Sequence, residues 1–141
     1  MEQTDQLKLA HGDVTGDILK AFFDVYRELG YGFSEIVYRR ALALVIRASG
    51  LEALEEVPLE VHFRGAIVGR FHADLIVARV VLETKATPTL QSYAEAQLLN
   101  YLKAAGGGVG MLLNFGHEPT FKRRVLGSVN PSLPAFDARR G

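Results

Sequence analysis

The stretch that leaves the chain fewest choices is residues 71–86, Phe-His-Ala-Asp-Leu-Ile-Val-Ala-Arg-Val-Val-Leu-Glu-Thr-Lys-Ala. Its density of β-branched and aliphatic residues predicts two strands rather than a helix. A break at Ala78-Arg79 makes them an antiparallel hairpin, with Ile76 opposite Val81, Asp74 opposite Glu83 and His72 opposite Lys85. Opposed residues share a face, so strand parity gathers His72, Asp74, Glu83 and Lys85 on one side. Like charges placed directly opposite destabilise a strand pair. A chain that keeps two carboxylates there, between apolar neighbours, calls for a cation between them, either Lys85 alone or a divalent metal. Ala-Arg lacks the Asn-Gly or Asp-Gly signature of a two-residue loop. A three- or five-residue loop would slip Asp74 opposite Leu82 or Thr84, and a solvated polar face is the bland alternative. The shared parity of Glu83 and Lys85 survives each of these choices.

Composition sets the outer bounds. The 141 residues predict one domain, 1–141, with a core over about 16–126. At 48% hydrophobic and 23% charged, the make-up is that of a soluble globular protein. No apolar run reaches the roughly 20 residues of a membrane span, and the first residues lack the features of a signal peptide. The expectation is a cytoplasmic protein with no membrane partner. The absence of cysteine excludes disulfides and thiolate metal sites. Net charge is zero, so a polyanion would have to be met by a local patch such as Lys122, Arg123 and Arg124.

In order along the chain, residues 1–14 read as a polar lead-in, and Thr15 as the N-cap of a helix from Gly16 to Leu29 striped by Ile18, Phe22, Val25 and Leu29. Ser34 caps a second helix running to about Ser49. There Val37, Ala41, Leu44, Val45 and Ala48 form one face, and Leu42 and Ile46 widen it, which predicts burial on two sides. Glu35 falls in the first turn, where the helix dipole favours a carboxylate whatever else it does. After a connector at 51–56 the hydrophobic period becomes two from Val57 to Phe63. A turn at Arg64-Gly65 returns the chain through Ile67–Val77, so three antiparallel strands form a meander ending at Ala86. Thr87-Pro88-Thr89 stops it. A helix over Leu90–Ala105 follows, striped by Ala94, Leu98, Leu102 and Ala105, with Gln97 and Tyr101 on an adjacent face. Gly106-Gly107-Gly108 ends that helix and, without a following Lys-Ser/Thr, is no phosphate loop. Val109–Phe115 reads as a buried strand, parallel to a neighbour through the crossover. Phe121–Leu126 reads as an edge strand and 128–141 as an irregular tail. The class is α/β (α+β): N-terminal helices, a three-stranded antiparallel meander, a crossover helix and further strands.

Glu…Asp…Glu-x-Lys…Gln-x-x-x-Tyr, carried in this order on these elements, resembles the PD-(D/E)XK nuclease superfamily and its restriction-endonuclease-like core. Within it the chain is most similar to the small bacterial group called GxxExxY proteins. Gly32-Phe33-Ser34-Glu35-Ile36-Val37-Tyr38 matches that motif. Ala73-Asp74-Leu75 and Glu83-Thr84-Lys85 stand where the group carries its Asp and Glu-x-Lys, with alanine replacing the proline of the superfamily name. Glu95–Leu102 looks like its Gln-x-x-x-Tyr helix. The resemblance covers about residues 16–126 and implies a hydrolase, a metal-dependent nuclease acting on DNA or RNA. It implies Mg²⁺ or Mn²⁺ held by Asp74, Glu83 and the Thr84 carbonyl, with Glu35 serving a second metal or its water. It also implies Lys85 on the attacking water, Gln97 orienting water or a ligand, and Tyr101 against the substrate backbone. His72 is an extra ligand or merely polar filler. The alternative is a nuclease-fold protein serving as a non-catalytic nucleic-acid-binding or complex-forming module through Lys122, Arg123 and Arg124. The oligomeric state, a homodimer included, stays open.

Overall fold

The computed structural model describes the backbone of residues 2–127 and the side chains of 14–127. The tail expected over 128–141 lies outside the described residues. Elements follow as α1 (Glu2–Leu29), α2 (Glu35–Ala48), β1 (Ala53–Phe63), β2 (Ala66–Val77), β3 (Val80–Lys85), α3 (Ser92–Ala104), β4 (Gly108–Phe115) and β5 (Pro119–Leu126). The five strands form one mixed sheet in chain order. Neighbours are antiparallel except β3 and β4, which run parallel because α3 carries the chain back across the sheet. This is an α+β architecture consistent with a restriction-endonuclease-like fold.

Both faces of the sheet are covered. Ile18, Phe22 and Val25 of α1 and Leu42 and Ile46 of α2 pack with Leu75, Leu82, Met111 and Leu113 on one side. Ala94, Leu98 and Leu102 of α3 pack with Ile76, Val81 and Leu112 on the other. The central strands are therefore apolar on both faces, as Val109–Phe115 reads in the sequence. The glycine stop after α3 has a steric side as well. Gly107 has a φ of +106°, and a Cβ there would lie 2.7 Å from the Gly127 carbonyl oxygen.

Three expectations need correcting. The first helix begins at Glu2, so Thr15 lies inside it instead of capping it, and its buried Oγ1 has no hydrogen-bond partner among the described residues. The polar lead-in contains Gln, Leu, Lys and Ala, all good helix formers, and polarity alone does not break a helix. The second helix begins at Glu35 behind Ser34 as expected, but it buries Tyr38, Leu42, Ala43 and Ile46 on a single side. Leu44 is 67% exposed, and Val37 is exposed as well. The helix is turned by Tyr38, whose ring stacks on Phe115 of β4 with centroids 4.3 Å apart. The expected connector at 51–56 is already strand from Ala53 onward, since Ala53, Leu54 and Glu55 pair with Val77, Ile76 and Leu75.

Candidate active site

The β2–β3 hairpin closes through Ala78 and Arg79, both left-handed, with φ of 46° and 70°. A two-residue loop with both central residues at positive φ is the type I′ connection, which fits the twist of the strands it joins. The register follows from it: Val77 opposes Val80, Ile76 opposes Val81, and Leu75 opposes Leu82. The ladder then stops at Asp74 and Glu83.

It stops because side chains replace the main chain there. The Asp74 N–H donates to Glu83 Oε1 at 3.1 Å, and the Thr84 N–H donates to Asp74 Oδ2 at 2.8 Å. The Thr84 hydroxyl donates to the same Oδ2 at 2.9 Å. Backbone donors need acceptors, and each carboxylate supplies one to the opposite strand. The other flank of β2 opens at the same level. Glu55 opposes Leu75 and Val57 opposes Ala73, whereas Glu56 between them is left-handed with a φ of 51°. Ala53 and Leu75 belong to the core under α1 and α2, whereas Val57 and Ala73, of the same parity, belong to the core under α3. Both strands therefore turn over at Glu56 and Asp74 with one residue on each side of the break, so the register is kept and no bulge is needed. Arg39 of α2 braces this turn-over of β1 with ion pairs to Glu55 at 3.6 Å and Glu56 at 3.3 Å.

Glu83 is 3% exposed, and its pKa is raised to about 8. Burial is the main cause and the Asp74 charge the next, with Glu35 adding to it; the Asp74 N–H and Lys85 pull the other way without offsetting them. Glu35 is exposed at the head of α2, yet near enough for its charge to act on Glu83. Lys85 shares the parity of Glu83 on β3, is half-buried, and pairs with Asn114 of β4. From α3, the Gln97 amide donates to the Tyr101 hydroxyl at 2.9 Å. The Tyr101 pKa is pushed up to about 12 by burial and then by the Glu83 and Asp74 charges, so its phenol stays protonated as a donor beside them. Glu35, Asp74, Glu83, Lys85, Gln97 and Tyr101 thus come to one place from four elements.

His72 does not join them by pairing. It is exposed and opposes Pro58 of β1, because the β2–β3 ladder ends before the expected partnership with Lys85 can form. The basic cluster is also altered, since Lys122 and Arg124 both pair with Glu95 of α3. Two supporting roles escaped the sequence reading. Asn114, 1% exposed, binds the Thr87 backbone through both ends of its amide and so fixes the exit of β3 beyond Lys85. Its signal was a lone polar residue within an apolar strand. The Tyr38 hydroxyl donates to the Gly30 carbonyl and accepts from the Phe33 N–H, closing the loop that leads to Glu35.

Among the described residues no group of three or more acidic or histidine side chains is placed to hold a metal by itself. The chemistry of the donors still fits a small hard cation. Mg²⁺ is commonly bound through one or two carboxylates while keeping several waters. Within the described residues no hydrogen bond occupies Asp74 Oδ1 or Glu83 Oε2.

A two-carboxylate fork at a break within a mixed sheet, with a lysine beside it, is an arrangement suited to hydrolysing phosphate esters. A family model described as the PD-(D/E)XK nuclease superfamily matches residues 12–125, and the chain belongs to that superfamily. Nucleases of this superfamily generally use divalent metals. No curated protein matches the chain. The crystal structure of SSO0001 is similar with a TM-score of 0.45 and 18% identity, over 67% of this chain and 50% of that one. The chain thus spans half the length of that protein, and a likeness of this degree carries no argument about function. No helix among the described residues is long and apolar enough to cross a membrane.

Proposed function

We propose that this protein is a metal-dependent nuclease of the GxxExxY group, hydrolysing phosphodiester bonds of DNA or RNA. The observation that carries the reading is the Asp74–Glu83 pair, two carboxylates set against each other at a break in the sheet, with burial and repulsion raising the Glu83 pKa to about 8. Asp74, Glu83 and the Thr84 carbonyl would hold Mg²⁺ or Mn²⁺, with Glu35 serving a second metal or a water. When bound, such an ion supplies charge neutralisation at the phosphate and a more acidic water.

The chain's own groups have separate tasks. The Lys85 ammonium stabilises negative charge as it develops on the phosphate oxygens and orients the attacking water. Gln97 holds the Tyr101 hydroxyl in place, leaving the phenol proton to donate to a phosphate oxygen. The pairing of Lys122 and Arg124 with Glu95 weakens the competing picture of a binding module built on that basic cluster. The test is a Mg²⁺ and Mn²⁺ titration followed by thermal unfolding, and then hydrolysis of single- and double-stranded DNA and RNA. Stabilisation by metal together with cleavage of at least one of these polymers supports the reading. Neither effect at millimolar metal would overturn it.

A further inference from the structure

Beside the ends of β3 and β4 two loops meet through a pair of aromatic rings. Tyr31, 45% exposed, stacks on His117 with ring centroids 4.2 Å apart and planes 23° from parallel. Phe33 in the same loop is 50% exposed. Rings left this open contribute little to the core, yet both loops are held firmly from beneath. Tyr38 fixes the first loop at Gly30 and Phe33. Tyr26 donates its hydroxyl toward the Gly116 and His117 carbonyls, at 2.8 and 2.6 Å. Gly116 fits so closely that a Cβ there would lie 2.4 Å from the Thr87 carbonyl oxygen.

The pair also stands next to the candidate site. Asn114, level with Lys85 across the parallel ladder, binds Thr87, and His117 follows just beyond it. Tyr31 lies one helical turn's length of chain before Glu35, whose charge reaches Glu83. None of the tasks assigned above uses either ring.

We propose that Tyr31 and His117 form a stacking platform for an unpaired base of the nucleic-acid strand whose phosphate occupies the Asp74–Glu83 fork, so that the substrate is single-stranded or locally unpaired. The inference rests on the nuclease reading and narrows it. A rigid, exposed aromatic face recognises the π-face of any base, and in a duplex those faces are covered by the neighbouring bases. Glu118 follows His117, and its charge acts on the Tyr26 hydroxyl that donates to the His117 carbonyl. Its negative charge disfavours a phosphate there, which leaves the base as the part of a nucleotide that fits.

The test measures binding by fluorescence anisotropy, at low salt and with chelator in place of metal, so that nothing is cleaved. Single-stranded DNA and RNA oligonucleotides are compared with a duplex of the same sequence, using the full chain. Tyr31→Ala and His117→Ala should each weaken single-strand binding roughly 5- to 150-fold, the range for losing one stacked base. Tyr31→Phe should retain the affinity, and duplex binding should change little in every variant. If an alanine variant fails to fold, Tyr31→Leu, which keeps bulk without a π-face, should show the same loss. Equal losses on duplex and single strand, or no loss on either, overturn the platform and leave the nuclease reading standing. Failure of the wild type to bind or cleave any of the polymers overturns the nuclease reading, and the platform with it.

Discussion

Asp74 and Glu83 are hydrogen-bond acceptors for each other's strand as well as a pair of like charges, and the two duties can be separated by substitution. Asp74→Asn keeps an oxygen for the Thr84 N–H and hydroxyl, whereas Asp74→Ala leaves both donors unsatisfied. The asparagine variant should be the more stable of the two by about 1–3 kcal/mol in urea unfolding. The charge duty shows in the pH dependence. Folded Glu83 keeps its proton to about pH 8, whereas the unfolded residue ionises near its ordinary value of 4.5. Between those pH values the native chain holds more protons than the unfolded one, so stability falls as pH rises and levels off above about 8. The change is on the order of a few kcal/mol. Glu83→Gln should flatten that slope and, above neutral pH, unfold at higher urea than wild type. A slope unchanged by the substitution would remove Glu83 as its source.

Among the elements, the hairpin and the second helix differ in how much of them could be read in advance. The hairpin register was legible because an apolar run with one two-residue break leaves few pairings, and parity then puts Asp74 opposite Glu83. That the two carboxylates cap backbone donors was not legible, since the sequence pattern predicts a ladder running on to His72 and Lys85, whereas it ends at Leu75 and Leu82. The rotation of α2 was hidden for a similar reason. Its apolar residues cover most of the helix, and the choice among faces is made by Tyr38 stacking on Phe115, a residue distant in the chain. Tyr38→Phe should keep that stack but release the Gly30 carbonyl and the Phe33 N–H, lowering stability by about 1–2 kcal/mol. Because the loop it closes leads into Glu35, the variant should also cut more slowly at saturating metal, with wild-type rates counting against a positioning role.

On the scale of the whole molecule, a cation held as proposed in the fork between α2, the β2–β3 hairpin and α3 would couple its binding to folding. A cation bound only by the native chain at 100 times its dissociation constant should add about 2.7 kcal/mol of stability. Glu83→Gln should abolish most of that gain. Lys85→Met should keep the gain and lose hydrolysis, and a Lys85→Met variant that cuts normally would show that the amine takes no part. The break in the ladder has a further bearing on descent. If the chain hydrolyses as proposed, a descendant released from that task would still need two acceptors at the break, for the Asp74 and Thr84 amides, so selection for folding alone would preserve both carboxylates or their amides. Lys85 accepts no backbone donor there, and its replacement would be the first mark of a lineage that had kept the scaffold and given up the chemistry.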